Sequence, residues 1–231
     1  MNFVSTVGDN ARVSSTVFFS PESQTDIIYF LSTGSSSNSM NEALASLSNK
    51  QFRPKWVTEG EIDDIVRRER KPVVVMDVFE GPVFEKINSY KSIRILSPFA
   101  IIQCNPRNIS FIPLRRYPVQ NFCLKDCIVS FSNLKVDDVL KLKELVQAMG
   151  GSFSFHLRKK VNYMVTNSWS TKKTLMARCE GGRIQVMSDQ WIHKCWELAS
   201  RGVNANDPQL QKYRLPVFSG MRLCSSGVSK L

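Results

Sequence analysis

Several features that would indicate a metalloprotein, an enzyme or a membrane protein are scarce or missing in this sequence. It has only two histidines and six cysteines, and no two cysteines form a C-x-x-C pair. The spacing of these residues therefore gives little support for a metal site. The sequence has no Ser-His-Asp order, no phosphate loop of the Gly-Lys-Ser type and no paired carboxylates framed by glycine. We therefore expect neither catalysis nor a cofactor.

Long apolar runs are missing too. No stretch is long enough to span a bilayer, and the first residues lack a basic segment followed by an apolar core. We expect a protein that neither spans a membrane nor is secreted. Most of the cysteines lie within apolar patterns, which is typical of reduced core residues in an intracellular protein.

Positive charge, in contrast, is abundant. The formal net charge is +11 at pH 7, which predicts polyanionic partners, either nucleic acid or acidic and phosphorylated peptides. Basic residues cluster at 67–71, 115–116 and 158–160. Each cluster taken alone fits a solvated loop equally well, so direct DNA binding stays open as an alternative.

The clearest pattern of strands and helices lies in residues 122–196. A short apolar run at 126–131 leads to Ser132, which predicts a strand with a hydroxyl at its tip. Apolar residues then recur at three- and four-residue steps as far as Met149, which predicts a helix with one buried face. The pair Gly150-Gly151 supplies the positive-φ residue that ends this helix. The other predicted elements are strands at 152–156, 161–165 and 183–187, a helix at 170–179, and a last helix capped by Ser188 or Asp189.

This order of elements predicts an α/β fold. The order β-α-β-β-α-β-α in about 80 residues implies a small parallel sheet with helices on both faces. The run Met149-Gly150-Gly151, the strand at 161–165 and the pairs Trp191-Ile192 and Cys195-Trp196 resemble a BRCT domain. The segment matches that pattern in order and without a gap.

The first half of the chain repeats this order of elements about 100 residues earlier, which indicates two copies of one fold. The first copy lacks the Gly-Gly joint and the last helix with its tryptophan, so it is degenerate. We expect tandem BRCT domains, each a small parallel four-stranded sheet flanked by helices. The predicted division is a flexible tail at 1–14, a degenerate BRCT-like domain at 15–105, a packed linker at 106–120, a BRCT domain at 121–203, and at 204–231 a linker with the first strand of an incomplete further BRCT domain.

Residues 77–84, 117–121 and 216–218 resemble the N-terminus of the topoisomerase-II-binding-protein family of replication and checkpoint scaffolds. This resemblance implies a nuclear, non-enzymatic phosphopeptide-binding module in DNA replication initiation, the DNA damage checkpoint and DNA repair. Its implied partners are phosphorylated Ser/Thr tails of checkpoint-clamp and replication-initiation proteins, with weak DNA contact and no membrane. The same arrangement resembles the N-terminus of the Ect-type Rho guanine-nucleotide exchange factors of cytokinesis, which stays an alternative.

The resemblance also implies a phosphate site. BRCT domains that bind phosphopeptides have a Ser or Thr at the end of the first strand and a Lys at the start of the second helix. The matching positions here are Ser132 and Lys173. Lys172 and Lys173 would oppose the positive end of the helix dipole, and a bound anion makes that arrangement favourable. A phosphate has close to two negative charges and three acceptor oxygens, so it suits a hydroxyl, a main-chain N–H and a lysine.

Two departures from the family pattern lie beside this site. Asn133 stands where many BRCT domains have glycine, and asparagine tolerates the positive φ of such a turn. The scaffold family uses a basic residue on the first helix, where this chain has Val139. Lys135 or Lys141 would then serve as the auxiliary basic residue.

Three expectations concern residues outside this site. Ser226 and Gly227 would belong to the pocket of the incomplete further unit, whose lysine the sequence does not include. The degenerate first unit shows no equivalent Ser and Lys pair, so we expect no pocket there. Trp191 begins an apolar helix face, and we therefore interpret it as a core residue rather than a platform for a peptide.

Overall fold

The computed structural model describes residues 27–32, 37–47, 52–103, 117–222 and Cys224. These residues form two α/β units whose strands follow the same order. In each unit the second strand lies at one edge of the sheet, followed by the first, third and fourth strands.

The first unit is a four-stranded parallel sheet between two pairs of helices. Its elements are β1 (Ile27–Leu31), α1 (Asn38–Leu47), β2 (Arg53–Val57), α2 (Ile62–Arg68), β3 (Val73–Val75), α3 (Gly81–Ser89), β4 (Arg94–Leu96) and α4 (Pro98–Gln103). The strand order is β2-β1-β3-β4, with all pairs parallel. Met40 of α1 and Ala100 of α4 pack in the core on one face, and Ile62 of α2 and Ile87 of α3 on the other.

The second unit repeats this topology with one helix fewer. Its elements are β5 (Ile128–Phe131), α5 (Val136–Ala148), β6 (Ser152–Phe153), β7 (Tyr163–Val165), α6 (Lys172–Cys179), β8 (Gln185–Met187) and α7 (Gln190–Leu198). The order is β6-β5-β7-β8, and all pairs are parallel. Helices α5 and α7 share the larger core cluster, and α6 covers the opposite face through Ala177.

Trp191 lies at the centre of the larger core of the second unit. Its side chain is 0% exposed, and its ring stacks on Tyr163 with the ring centroids 4.5 Å apart. The interpretation of Trp191 as a core residue is therefore confirmed. The α7 helix that carries it begins after Asp189, whose carboxylate accepts from the Gln190 N–H at 2.9 Å.

The two glycines after α5 are required for different reasons. Gly150 has a φ of +73°, which supports the prediction of a positive-φ residue at the helix end. A Cβ on Gly151 would instead lie 2.7 Å from Val146 Cγ1 and 3.1 Å from Leu124 Cβ. Gly151 is therefore needed because the chain passes close to α5, and not because of its φ angle.

Each sheet is extended at its last strand by a segment from the following connection. In the first unit, Val119 N–H donates to the Ile95 oxygen at 3.0 Å, and Ser97 N–H donates to the Val119 oxygen at 2.9 Å. In the second unit, Leu215 N–H donates to the Val186 oxygen at 2.9 Å. These bonds satisfy main-chain groups at edges that would otherwise be open.

Several sequence predictions need correction. Helix α2 was not predicted, and the strand predicted at 152–156 ends at Phe153, because the chain turns at His156, whose oxygen accepts from Arg158 N–H at 3.0 Å. In the first unit, the apolar run at 72–78 predicts a longer strand than β3, which covers only Val73–Val75, although Met76 N–H still donates to the Leu96 oxygen at 3.1 Å. Of the cysteines that the structure describes, Cys123, Cys127 and Cys195 are buried as expected for core residues, whereas Cys179 and Cys224 are exposed.

The predicted domain limits stay predictions. Within the segment expected to begin a further unit, residues 217–220 form a turn. Ser226 and Gly227 lie outside the described residues, as do the tail predicted at 1–14 and the basic pair at 115–116.

No helix in the described part of the chain is long and apolar enough to cross a membrane. Among the same residues, no three His, Cys, Asp or Glu side chains are grouped in a way that could hold a metal ion.

Candidate phosphate-binding site

The predicted site residues lie at the carboxyl edge of the second sheet. Ser132 directly follows β5, and its N–H donates to the Val165 oxygen at the end of β7 at 3.1 Å. Because the strands are parallel, the loop after β7 reaches this same edge, and α6 begins there at Lys172. The structure thus brings Ser132 next to the N-terminal turn of α6.

A chain of hydroxyl groups joins Ser132 to that helix. Ser132 Oγ lies 2.9 Å from Thr171 Oγ1, and either oxygen can be the donor. Thr171 is the N-cap of α6, where its Oγ1 accepts from the Thr174 N–H at 3.1 Å. Thr171 is not among the predicted site residues, although a threonine directly before a predicted helix is a typical N-cap signal.

Lys173 is held at the same edge by two main-chain oxygens. Its Nζ donates to the Phe131 oxygen at 2.7 Å and to the Phe155 oxygen at 2.8 Å. An ammonium has three donors, so one N–H remains for a ligand. Burial lowers the pKa of Lys173 from its usual value. The positive charge is therefore fixed beside the residue that precedes Ser132.

Asn133 forms part of the rim of the site. Its φ is +52°, in the left-handed region. This agrees with the expectation from the glycine that many BRCT domains have at this position. Its Nδ2 donates to the Asn167 side-chain oxygen at 2.6 Å, which links the loop after β5 to the loop after β7. This hydrogen bond joins the two loops at the edge of the candidate site.

The remaining predicted lysines lie at different distances from this edge. Lys172 is exposed and is the first residue of α6. Lys135 is exposed and is the N-cap of α5, three residues after Ser132. Lys141 is exposed too, but it lies five residues into α5, roughly 7 Å along the helix axis from its first residue. Lys135 is thus better placed than Lys141 to assist at the sheet edge.

The excess of positive charge is concentrated in the second unit. Residues 117–222 contain 16 lysines and arginines against 8 aspartates and glutamates. Residues 27–103 contain 10 against 9 and are close to neutral. The unit with the candidate site is therefore the one whose field attracts anions.

The first unit has an apolar residue at the place of Ser132. Phe30 of β1 and Phe131 of β5 hold equivalent positions, because each lies beside the last residue of the third strand in its sheet. The next residue is Leu31 in the first unit and Ser132 in the second.

The helix that follows the third strand differs in the same way. In the first unit α3 opens with Gly81 and Pro82, whereas α6 opens with Lys172 and Lys173. The first unit therefore has neither the hydroxyl nor the ammonium at these positions. That it has no phosphate pocket stays a prediction.

A separate cleft of about 290 Å³ lies between the two units. Gln103 spans this junction, donating to the Ala199 oxygen at 3.2 Å and accepting from the Phe122 N–H at 2.8 Å. None of the predicted phosphate-site residues lines the cleft, whose walls are Ser39, Asp77, Phe79, Ser97, Pro98, Phe99, Gln120, Asn121, Trp196, Ala199 and Ser200.

Residues 127–191 match the family model described as the twin BRCT domain. The chain has a tandem BRCT fold. The first unit lies outside the matched residues, but it repeats the strand order of the second. The predicted fold class, tandem small parallel four-stranded sheets flanked by helices, is therefore confirmed.

The chain is also similar to curated and structurally characterised proteins. Protein ECT2 of Mus musculus is 24% identical over 200 residues, which are 85% of this chain and 21% of ECT2. Protein ECT2 of Homo sapiens is 25% identical over 203 residues with the same coverage. The chain therefore spans about a fifth of the length of the curated relatives it matches.

Two solved structures illustrate the structural similarity. Rad4 BRCT1,2 in complex with a Crb2 phosphopeptide is 15% identical, with a TM-score of 0.36, and the match covers 83% of this chain and 98% of that one. Yeast Rtt107 is 10% identical, with a TM-score of 0.42, and the match covers 84% of this chain and 44% of that one.

Proposed function

We propose that the second BRCT unit binds phosphorylated serine or threonine side chains of partner proteins, and that the chain is a non-enzymatic scaffold module. The observation that carries this proposal is the meeting of Ser132 and Lys173 at one sheet edge, beside the N-terminal turn of α6. The concentration of positive charge in the second unit supports the same ligand class.

The proposed binding reaction uses groups that are already in place. Ser132 Oγ turns its hydroxyl from Thr171 to a phosphate oxygen, and Lys173 uses its third N–H. Main-chain N–H groups of the first turn of α6 complete the contacts, with Asn133 at the rim and Lys172 adding charge. Lys135 is the proposed auxiliary basic residue, with Lys141 as the alternative.

The proposed setting is the nucleus, in DNA replication initiation and the DNA damage checkpoint. The proposed partners are phosphorylated tails of checkpoint-clamp and replication-initiation proteins. The three segments that resemble the topoisomerase-II-binding-protein family support this setting, namely residues 77–84, 117–121 and 216–218.

An array of phosphorylated peptides tests the proposal. It should display Ser and Thr tails of checkpoint-clamp and replication-initiation proteins, each beside its unphosphorylated copy, and be probed with the wild-type chain and with Lys173→Glu. We expect binding to a subset of the phosphorylated spots by the wild-type chain alone. Equal binding to phosphorylated and plain copies contradicts the proposal.

The similarity to ECT2 supports a second setting for the same pocket. The chain would then be the N-terminal regulatory region of a Rho guanine-nucleotide exchange factor of cytokinesis. Adding phosphorylated segments of cytokinesis proteins to the array separates the two settings. Selective binding to those segments would favour the exchange factor over the replication scaffold.

The charge of the second unit also supports weak DNA contact as an alternative. Arg158, Lys159 and Lys160 are all exposed in the connection between β6 and β7. If DNA is the ligand, replacing these three residues by alanine weakens binding more than Lys173→Ala does. The DNA affinity should then also fall steeply with salt concentration.

A further inference from the structure

A segment after α7 lies against the loop that supports the candidate site. We call residues 214–221 the brace and residues 166–170 the support loop. The brace starts at the edge of β8, where Arg214 forms an antiparallel bridge with Met187. It then crosses to the support loop, which connects β7 to the N-cap of α6.

Four hydrogen bonds fix the brace to the support loop. The indole Nε1 of Trp169 donates to the Pro216 oxygen at 2.8 Å, and the Trp169 N–H donates to the Ser219 oxygen at 3.1 Å. Ser219 Oγ donates to the Asn167 main-chain oxygen at 3.2 Å, and Ser168 Oγ donates to the Gly220 oxygen at 3.5 Å. Two of these four bonds use main-chain atoms of the loop, so they fix its path and not only a side chain.

Gly220 allows the brace to approach the support loop closely. A Cβ at this position would lie 2.5 Å from Ser168 Oγ and 2.6 Å from Ser168 Cβ, closer than such atoms can come. Gly220 also has a φ of +68°. Any larger residue at this position must push the brace and the loop apart.

The other side of the support loop contacts the candidate site. Asn167 accepts the side-chain hydrogen bond from Asn133, and Thr171, directly after the loop, contacts the Ser132 hydroxyl. The loop therefore lies between the brace on one side and the phosphate-site residues on the other.

We propose that the brace is a positioning element for the phosphate site: Gly220 and the four hydrogen bonds set the support loop, and the loop sets Asn133 and the Ser132–Thr171 pair. This inference rests on the proposed phosphopeptide function for its effect on affinity. The claim that the brace positions the support loop and the site residues concerns the ligand-free chain and does not depend on that function.

A pair of glycine substitutions tests the proposal. Gly220→Ala introduces the clash with Ser168. Gly182→Ala is the matched control, because Gly182 has a φ of +83° and no atom within 4 Å of an added Cβ. Both variants carry the conformational cost of alanine at positive φ, but only Gly220→Ala displaces the loop.

Two measurements are made on each variant of the full chain. The first compares the amide chemical shifts of Ser132, Asn133 and Thr171 without ligand. The second measures affinity for a labelled peptide pool with a central phosphothreonine and random flanks, and for the same pool with threonine. We expect Gly220→Ala to move all three amides and to weaken binding of the phosphothreonine pool by about tenfold. Gly182→Ala should leave the three amides and that affinity unchanged.

Each outcome decides between the two proposals. Unchanged amides and affinity in Gly220→Ala overturn the positioning role. Equal binding of both pools by the wild-type chain overturns the phosphopeptide function. The amide shifts, measured without ligand, then still test whether the brace positions the site residues. If Gly220→Ala does not fold, Trp169→Phe takes its place, since it removes the 2.8 Å bond to Pro216 and keeps an aromatic ring.

Discussion

The Lys173 ammonium donates to the main-chain oxygen of Phe131 at 2.7 Å, one residue before Ser132. A second bond, to the Phe155 oxygen at 2.8 Å, joins the chain beyond β6 to the end of β5. Lys173 therefore ties two strand ends together and places a positive charge beside the Ser132 hydroxyl. Experiments on this lysine have to separate its contribution to stability from its contribution to binding.

Comparing variants of Lys173 and its neighbour Lys172 separates the contribution to stability from the contribution to binding. Lys173→Met keeps the aliphatic stem and removes the charge and both hydrogen bonds, so we expect the free energy of unfolding to fall by about 1–2 kcal/mol. Phosphopeptide affinity should fall by at least about tenfold, because the lost contact is charge-assisted. Lys172→Met should leave stability unchanged, since Lys172 is exposed, and should weaken binding less.

Urea unfolding and peptide titration of both variants provide these numbers. A Lys173→Met chain that unfolds more easily but binds phosphopeptide as tightly as the wild type would assign Lys173 to the fold alone.

Ser130 in β5 and Ser132 directly after β5 allow a structural hydroxyl to be compared with the proposed ligand-binding hydroxyl. Ser130 is 0% exposed, and its Oγ donates to the Ser154 oxygen at 2.8 Å. Ser130→Ala should therefore cost about 1 kcal/mol of stability and leave phosphopeptide affinity unchanged. Ser132→Ala should weaken binding by about tenfold, because a hydrogen bond to a charged group is lost.

Thermal unfolding and titration of the two serine variants check this contrast. If Ser130→Ala weakens binding as much as Ser132→Ala does, the Ser132 hydroxyl has no specific role.

Phosphopeptide affinity should fall on both sides of neutral pH. The second pKa of a phosphate ester is about 6, so the ligand loses one charge below that pH and affinity falls. Burial lowers the pKa of Lys173 from 10.5. As pH rises through this lowered pKa, the ammonium loses its charge. The alkaline loss of affinity should therefore begin at a lower pH than it would with an exposed lysine.

Lys173→Arg is the control for the alkaline side, because a guanidinium stays charged throughout this range. Titrations between pH 5 and pH 10 should show the alkaline fall move up or vanish in Lys173→Arg. An identical alkaline fall in both chains would assign it to another group.

The close approach at Gly151 predicts a loss of stability upon substitution. Gly151→Ala places a Cβ 2.7 Å from Val146 Cγ1, so the end of α5 must shift, and we expect a loss of about 1–3 kcal/mol. Gly60→Ala is the control, because no atom lies within 4 Å of its added Cβ. Similar unfolding midpoints for the two variants would contradict the packing account.

Much of the second unit could be predicted from its sequence, because its signals are local. The apolar steps of α5, the glycine pair after it and the apolar face of α7 each follow from short-range periodicity. Helix α2 was missed for the opposite reason. It has only seven residues, and its signal is limited to Ile62 and Ile65 with acidic residues at its start and arginines at its end.

The candidate site could be predicted only in part. Ser132 and Lys173 were found by resemblance to a family pattern, which specifies residue types, and Lys172 by its place in the first turn of a predicted helix. The acceptors of the Lys173 ammonium are main-chain oxygens, which every residue has, so no side chain marks Phe131 or Phe155 in the sequence. Their role depends on where β6 ends, and strand ends are the least predictable feature of such patterns.

The most direct test of the central claim is a calorimetric titration with one peptide pair. One peptide from the array, chosen for its binding, is measured in phosphorylated and unphosphorylated form against the wild-type chain and Lys173→Met. We predict that the phosphorylated form binds the wild-type chain at least about tenfold more tightly than the plain form, and that Lys173→Met removes most of this difference. Equal affinity of the wild-type chain for both peptides would contradict the account.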